Sequence, residues 1–249
     1  DLQTAEELCK RVLQLDHTDH KAWHLMGGIA SFAGDYEQAE RLMDRCLEIA
    51  PNMPACMWNR SHIRLARGDY ENGFKDFRYG RQAKLRSVRA EGKEWDGEYV
   101  KTLFVWCEEG HGDTFQMLRY IPLLCKLVGH VVLEVYKPQL ALVDFQDFPC
   151  TVVAQPEDWH NPYSFDAHVG LMDLPRVLGV KSPDDVDGGA YLKPPPGAQA
   201  EAKIGVCWKG TPTHSNDAQR SIPEDALSPW ERFRMVSLQK DETLFGWES

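Results

Sequence analysis

Residues 107–120 read CEEGHGDTFQMLRY and follow the apolar run LFVW at 103–106. Two glycines, Gly110 and Gly112, lead into Asp113, and Gln116 and Arg119 come after it at helical spacing. A carboxylate held at the bend between a strand and a helix can take a proton from a hydroxyl. The unpaired N–H groups at the start of such a helix can hold an anion or a sugar hydroxyl. The same residues have two plainer readings. As a structural turn, Asp113 caps the helix and Gln116 completes a D-x-x-Q box, a device worth ~1 kcal/mol that leaves Arg119 unexplained. As a dinucleotide fingerprint, the pair Gly110 and Gly112 needs a third glycine where Phe115 stands, although Glu134 lies at a suitable distance downstream for a ribose acid.

A second polar stretch, KGTPTHSNDAQRSIP at 209–223, follows the apolar run IGVCW at 204–208. It carries Lys209, Gly210, His214, Asn216, Asp217, Arg220 and Ser221. A loop histidine such as His214 is either solvated or catalytic, and the residue type alone leaves both open. His17, His20 and His24 invite a metal reading, since His20 and His24 are four apart. No cysteine or completing acid stands with them beyond Asp16 and Asp19, so no metal is expected there. The seven cysteines are scattered with no C-x-x-C, which points to a reducing, cytoplasmic setting without a metal cluster.

The elements that must position these residues fall into three blocks. GDYE at 34–37 recurs at 68–71, an offset of 34, and Ala5 with Ala39 and Leu13 with Leu47 keep the same offset. Together with Ala22, Trp23, Leu25, Gly27, Tyr36 and Pro51, this pattern resembles the tetratricopeptide repeat. The resemblance covers 1–85 as half a unit, one full unit and one that drifts, with Gly73 where Ala39 stood; so few units are expected to dock onto the next block of the chain. From 86 to 192 the period changes. Strands are expected at 103–108, 130–136 and 150–155. Helices are expected at 114–129, kinked at Pro122, and at 138–146, with a strand and then a helix over 166–179. Such alternation predicts a doubly wound parallel sheet, with the 107–113 loop at its carboxyl edge. The proline-rich stretch YLKPPPGAQAEA at 191–202 leads to a third block, 193–249, with strands at 204–208 and 233–239.

Trp95-Asp96-Gly97, then Gly110, Gly112, Asp113, Thr114, Gln116, Arg119, Tyr120 and Pro122 resemble the opening of heptosyltransferase-like bacterial glycosyltransferases. Glu109 departs from the pattern, which commonly has Gln, and adds a negative charge. The series Trp208, Gly210, Pro212, His214, Asn216, Asp217, Arg220, Ser221, Ile222 and Pro223 resembles the start of the donor-binding half of the same enzymes. The resemblance implies two Rossmann-like lobes of the GT-B type, the second incomplete over 193–249. It implies Asp113 as catalytic base, with Gly110, Gly112, Gln116 and Arg119 on the acceptor side. It places Lys209, Gly210, His214, Asn216, Arg220 and Ser221 on a nucleotide-sugar donor, which is substrate rather than cofactor. Lys209 and Arg220 would meet the diphosphate, Arg220 through its bidentate fork. No D-x-D bridge for a metal ion stands near either loop, so transfer is expected to be metal-independent.

The alternative is an interaction scaffold in which the repeats bind a protein or peptide, through Trp23 and Tyr36, and the sheet is catalytically idle. A net charge of −10 and a pI near 5.4 argue against nucleic acid as partner. No run is long and apolar enough to predict a membrane span. The chain opens mid-pattern at Asp1 and stops after two strands of its last block. It is therefore expected to be a fragment, to be completed by another chain, or to have lost donor binding.

Overall fold

The repeated GDYE has a local physical cause. Gly34 and Gly68 adopt left-handed φ angles of 82° and 85°, where a side chain would be strained, and so end one helix. Asp35 and Asp69 then cap the next, their carboxylates accepting from the N–H groups of Gln38 and Asn72. Asp1 and Asp19 cap in the same way. The helices are α1 (Leu2–Leu15), α2 (His20–Phe32), α3 (Tyr36–Ile49), α4 (Pro54–Ala66), α5 (Tyr70–Phe77) and α6 (Tyr79–Gln82). The hairpins α2–α3 and α4–α5 start 34 residues apart, at His20 and Pro54. Ala39, Met43, Cys46, Cys56 and Ile63 form their shared core. The second hairpin is cut short: α5 has 8 residues where α3 has 14.

The computed structural model describes residues 1–157, 163–186, 188–194, 197, 204–210, 217–230, 232, 233 and 235–239. By its contacts the chain divides into two units, Asp1–Lys193 and Pro194–Ser249. The first unit joins the helices to a four-stranded parallel sheet. Its strands are β1 (Thr102–Trp106), β2 (His130–Val135), β3 (Thr151–Ala154) and β4 (Ala167–Gly170), in spatial order β3-β2-β1-β4. All three pairings are parallel, with Phe104 opposite Val132 and His168. The helix expected at 114–129 is interrupted as Pro122 requires. It is built from α7 (His111–Met117), a 3-10 turn at Leu118–Tyr120 and α8 (Ile121–Leu127). The expected helix at 138–146 is shorter, a 3-10 turn and then α9 (Leu140–Asp144), and α10 (Leu174–Val177) comes after β4.

Alternation along β1 sorts the two faces. Leu103 and Val105 pack with Leu118, Ile121, Leu124, Val143 and Leu174 from the helices. Phe104 and Trp106 point the other way, against Ala90, Tyr163 and Phe165. The helices of this core therefore cover one face, and connecting segments cover the other. The physical reason lies in the right-handed crossover rule. Stepping β1 to β2 to β3 keeps helices on one side, whereas β3 to β4 reverses direction, and Tyr163 and Phe165, just before β4, pack on the opposite face. The strand order, which reverses at β1, is nevertheless the order expected of a doubly wound parallel sheet.

Three buried charges and a partly buried fourth bind the helices to the sheet. Arg86 reaches Glu108 at 2.6 Å and Asp173 at 3.3 Å; Arg81, from α6, reaches Glu108 at 3.3 Å and also pairs with Asp173. Arg86 has no exposed side-chain surface, and both carboxylates have 1%. Burial opposes the Arg86 charge, but Asp173 and Glu108 outweigh it and hold the guanidinium above its usual pKa. Gly170 leaves the space: a Cβ there would collide with Glu108 Oε1. A separate buried pair, Arg89 and Glu134 at 2.9 Å, lies one strand over.

The second unit, described by itself, pairs β5 (Ile204–Val206) in parallel with β6 (Met235–Ser237), and a short helix α11 (Asp217–Arg220) lies between them in sequence. Trp208, Leu227 and Met235 form its core. Among the described residues no helix is long and apolar enough to cross a membrane.

Removing one partner of a buried ion pair strands the other charge, at a cost of about 3–5 kcal/mol. Arg86→Met is expected to lower stability by about that amount, read from the urea midpoint. His168, buried in β4, has its pKa lowered, first by desolvation. A depressed histidine leaves the unfolded state binding more protons, so stability is expected to fall as pH drops below about 6.5. An NMR titration following the His168 ring should place its protonation below that of a solvated histidine.

Candidate functional site at the carboxyl edge of the sheet

The loop leaving β1 is fixed from the end of β2. The Tyr136 hydroxyl donates to the Glu109 carbonyl at 2.8 Å, and Gln139 Nε2 donates to the His111 carbonyl at 3.0 Å. The His111 ring meets Tyr136 edge-on at 5.0 Å. Burial pushes the Tyr136 hydroxyl up to about 12, helped by Cys107, Glu109, Glu108 and Asp113, so it stays a neutral donor. Glu109 carries a left-handed φ of 61°. A side chain held there costs on the order of 1–3 kcal/mol, which surrounding contacts must offset.

Asp113 does not cap the helix as the turn reading expected. The helix starts at His111, the N-cap is Gly110, and Asp113 sits at the third helical position. Its Oδ2 accepts from the Gly110 N–H at 2.9 Å, the back-reaching half of a capping box. Gln116 is exposed and completes no box; its backbone carbonyl accepts from Arg119 Nε at 3.1 Å. The Arg119 guanidinium lies 4.6 Å over the Tyr191 ring.

Two cavities flank this region. One, of about 270 Å³, lies at the strand ends and is lined by Arg86, Ser87, Arg89, Glu109, Tyr136 and Gln155 among others. The other, of about 460 Å³, is lined by Arg119, Leu123, Lys126, Val186 and Tyr191 among others. Asp113, Gly110, Gly112 and Gln116 line neither, and Arg119 faces the second cavity while the loop carboxylate Glu109 faces the first. The expected acceptor set is thus not brought to one cavity. Glu134 is fully buried and engaged with Arg89, which removes it as a ribose acid and with it the dinucleotide reading. Cys107, on the wall of the first cavity, is an unreactive thiol, pushed up to about 12 by burial and then by Glu134.

In the second unit, Lys209, Gly210 and Ser221 line a cavity of about 520 Å³ with Asp217 and Asp225. Ser221 Oγ accepts from the Gly210 N–H at 2.9 Å and donates to Asp217 Oδ1 at 2.7 Å. Among the described residues of this lining, two carboxylates stand against one lysine. Arg220 is exposed and does not line it. His214 and Asn216 lie outside the described residues.

Sequence reasoning expected a peptide-binding face on the repeats but missed the residues of the hairpin groove, about 330 Å³, where Ser31 and Phe32 of α2 face Trp58, Asn59 and His62 of α4. The signal was there, since these are the first helices of successive repeat units. Trp23, expected to hold a partner, instead donates its indole N–H to the His17 carbonyl and packs on the hairpin core, and neither it nor Tyr36 lines the groove. His24 Nε2 lies 2.8 Å from Asn59 Nδ2, and its pKa is lowered by burial and then by His20. Among the described residues no three His, Cys, Asp or Glu side chains are grouped to hold a metal ion.

Asp113→Ala removes the acceptor on Gly110 and is expected to cost roughly 1 kcal/mol, whereas Asp113→Asn keeps an oxygen there and is expected to cost less than about half of that. Urea unfolding of the two variants checks the difference.

No protein-family model and no curated protein sequence matches the chain. Among solved structures it is similar to a mutant of the Thermobaculum terrenum O-GlcNAc transferase, at 17% identity and a TM-score of 0.30. The match covers 55% of this chain and 34% of that one, so the chain spans about a third of that structure's length.

Proposed function

We propose that the chain is glycosyltransferase-like and moves a sugar from a nucleotide-sugar donor to an acceptor hydroxyl without a metal ion. One observation supports the reading above the others. The segment whose residues resemble the glycosyltransferase opening, Gly110 to Pro122, leaves the carboxyl end of a central parallel strand, beside a polar cavity. Ligands of open parallel sheets bind at that edge. The reaction needs a base for the acceptor proton and a clamp for the departing diphosphate. The resemblance assigns the first to Asp113, whose Oδ2 is already held by Gly110, and the second to Lys209 and Arg220.

A second reading, a helical interaction scaffold, is favoured by the hairpin groove. Phe32 is 64% exposed beside Asn59, an arrangement suited to an extended peptide with an apolar side chain.

Incubating the chain with UDP-, GDP- and ADP-sugars and following nucleotide release and glycoside formation decides between them. The glycosyltransferase reading expects turnover with one donor class that persists in excess chelator. It expects that turnover to fall by about 100-fold or more when the carboxylate acting as base is replaced by its amide. Absence of turnover with every donor, together with peptide binding lost in Asn59→Ala, would favour the scaffold.

A further inference from the structure

The cavity at the strand ends has a chemical character that its lining fixes. Its two guanidinium groups are engaged behind it: Arg86 with Glu108 and Asp173, and Arg89 with Glu134. The carboxylate added at its rim is Glu109, with side chain 38% exposed and Oε1 3.9 Å from Arg86 Nε. Among the described residues, two arginines against Glu108 and Glu109 leave the lining with no surplus positive charge, before Asp173 and Glu134 are added. An anionic ligand would have to displace existing pairs, which costs several kcal/mol per stranded charge. Hydroxyls face no such cost. Tyr136 offers an oxygen that already donates to Glu109 and can accept, Gln155 and Ser87 both donate and accept, and Glu109 accepts. At about 270 Å³ the space lies just under the roughly 300–1,000 Å³ typical of drug-sized ligands and suits a single sugar ring.

We infer that this cavity binds an uncharged, polyhydroxylated ligand of sugar type, and that Glu109, rather than Asp113, is the carboxylate that receives its hydroxyl proton. The binding part stands on the cavity alone; the proton step rests on the glycosyltransferase reading. In that step Glu109 takes the hydroxyl proton as the oxygen forms its bond to the donor's anomeric carbon. The bond from that carbon to the nucleoside diphosphate breaks, and the diphosphate leaves with the electron pair. Asp113 is then a positioning residue, which holds Gly110 and through it the loop.

The chain's own geometry separates the two acids. The left-handed φ of Glu109 turns it out of the path of the helix that begins two residues later, and the Tyr136 hydrogen bond to its carbonyl holds it so. Asp113 is turned back on its own helix start and lines neither flanking cavity.

Chemical-shift mapping with a panel of neutral methyl glycosides, the matching sugar phosphates and inorganic phosphate tests the binding. At least one glycoside is expected to shift residues 86–89, 109, 136 and 155 with a dissociation constant near the millimolar range, and its phosphate to bind at least tenfold more weakly. No shift with any glycoside, or tighter binding of phosphate, overturns the assignment. Turnover of the best donor then tests the proton step. Glu109→Gln is expected to lower it ~100-fold or more with glycoside binding kept within threefold, and to remove the acidic-limb pKa of a carboxylate from the pH–rate profile. Asp113→Asn is expected to stay within about tenfold of wild type, and the reverse ranking refutes the role given to Glu109. Should wild type turn over no donor at all, the glycosyltransferase reading fails with the proton step, and the glycoside shifts still decide the cavity.

Discussion

The fold of the first unit depends on a charge cluster that is almost shut off from water. Arg81 and Arg86 come from the end of the helical hairpins, Glu108 from the end of β1, and Asp173 from the turn after β4. These are the two strands between which the order of the sheet reverses, the position where such sheets usually take a ligand. Here the crevice is filled by the protein's own guanidinium groups. Buried ion pairs contribute little net stability, but they penalise every arrangement that leaves one charge alone. The cluster therefore acts on specificity. It fixes where the helices meet the sheet.

That constraint reaches the loop. Glu108 cannot move without stranding Arg86, and its neighbour Glu109 is pinned through its carbonyl to Tyr136. The strained φ of Glu109 persists because the buried pair on one side and α7 on the other determine it. The space left for a ligand is displaced one strand over from the crevice, towards β2 and β3, where Tyr136 and Gln155 stand at the strand ends. The surplus charge a phosphate would need has been consumed in holding the architecture together.

Much of the scaffold was legible in residues 1–193. GDYE carries its meaning locally, as a left-handed glycine followed by an N-cap, and LFVW and HVVLEV are apolar runs that only a strand buried on both faces tolerates. Other features were not local. Arg86 and Asp173 are 87 residues apart, and nothing in the residues near either names the other. The orientation of Asp113 turned on where the helix begins. A start at His111, three residues earlier than expected, converts a cap into a third-position acid that reaches back to Gly110. Glu109 stood out in sequence only as an extra negative charge; its position at the cavity rim comes from a φ angle that residue type does not announce.

The most direct measurement is amide hydrogen exchange in Arg86→Lys, which keeps the charge but loses the planar fork. If the buried cluster holds helices and sheet as one unit, exchange should rise together in 70–82 and 103–110 by tenfold or more, although these segments lie apart in sequence. A rise confined to the residues around 86, with both segments protected as in wild type, would contradict the account.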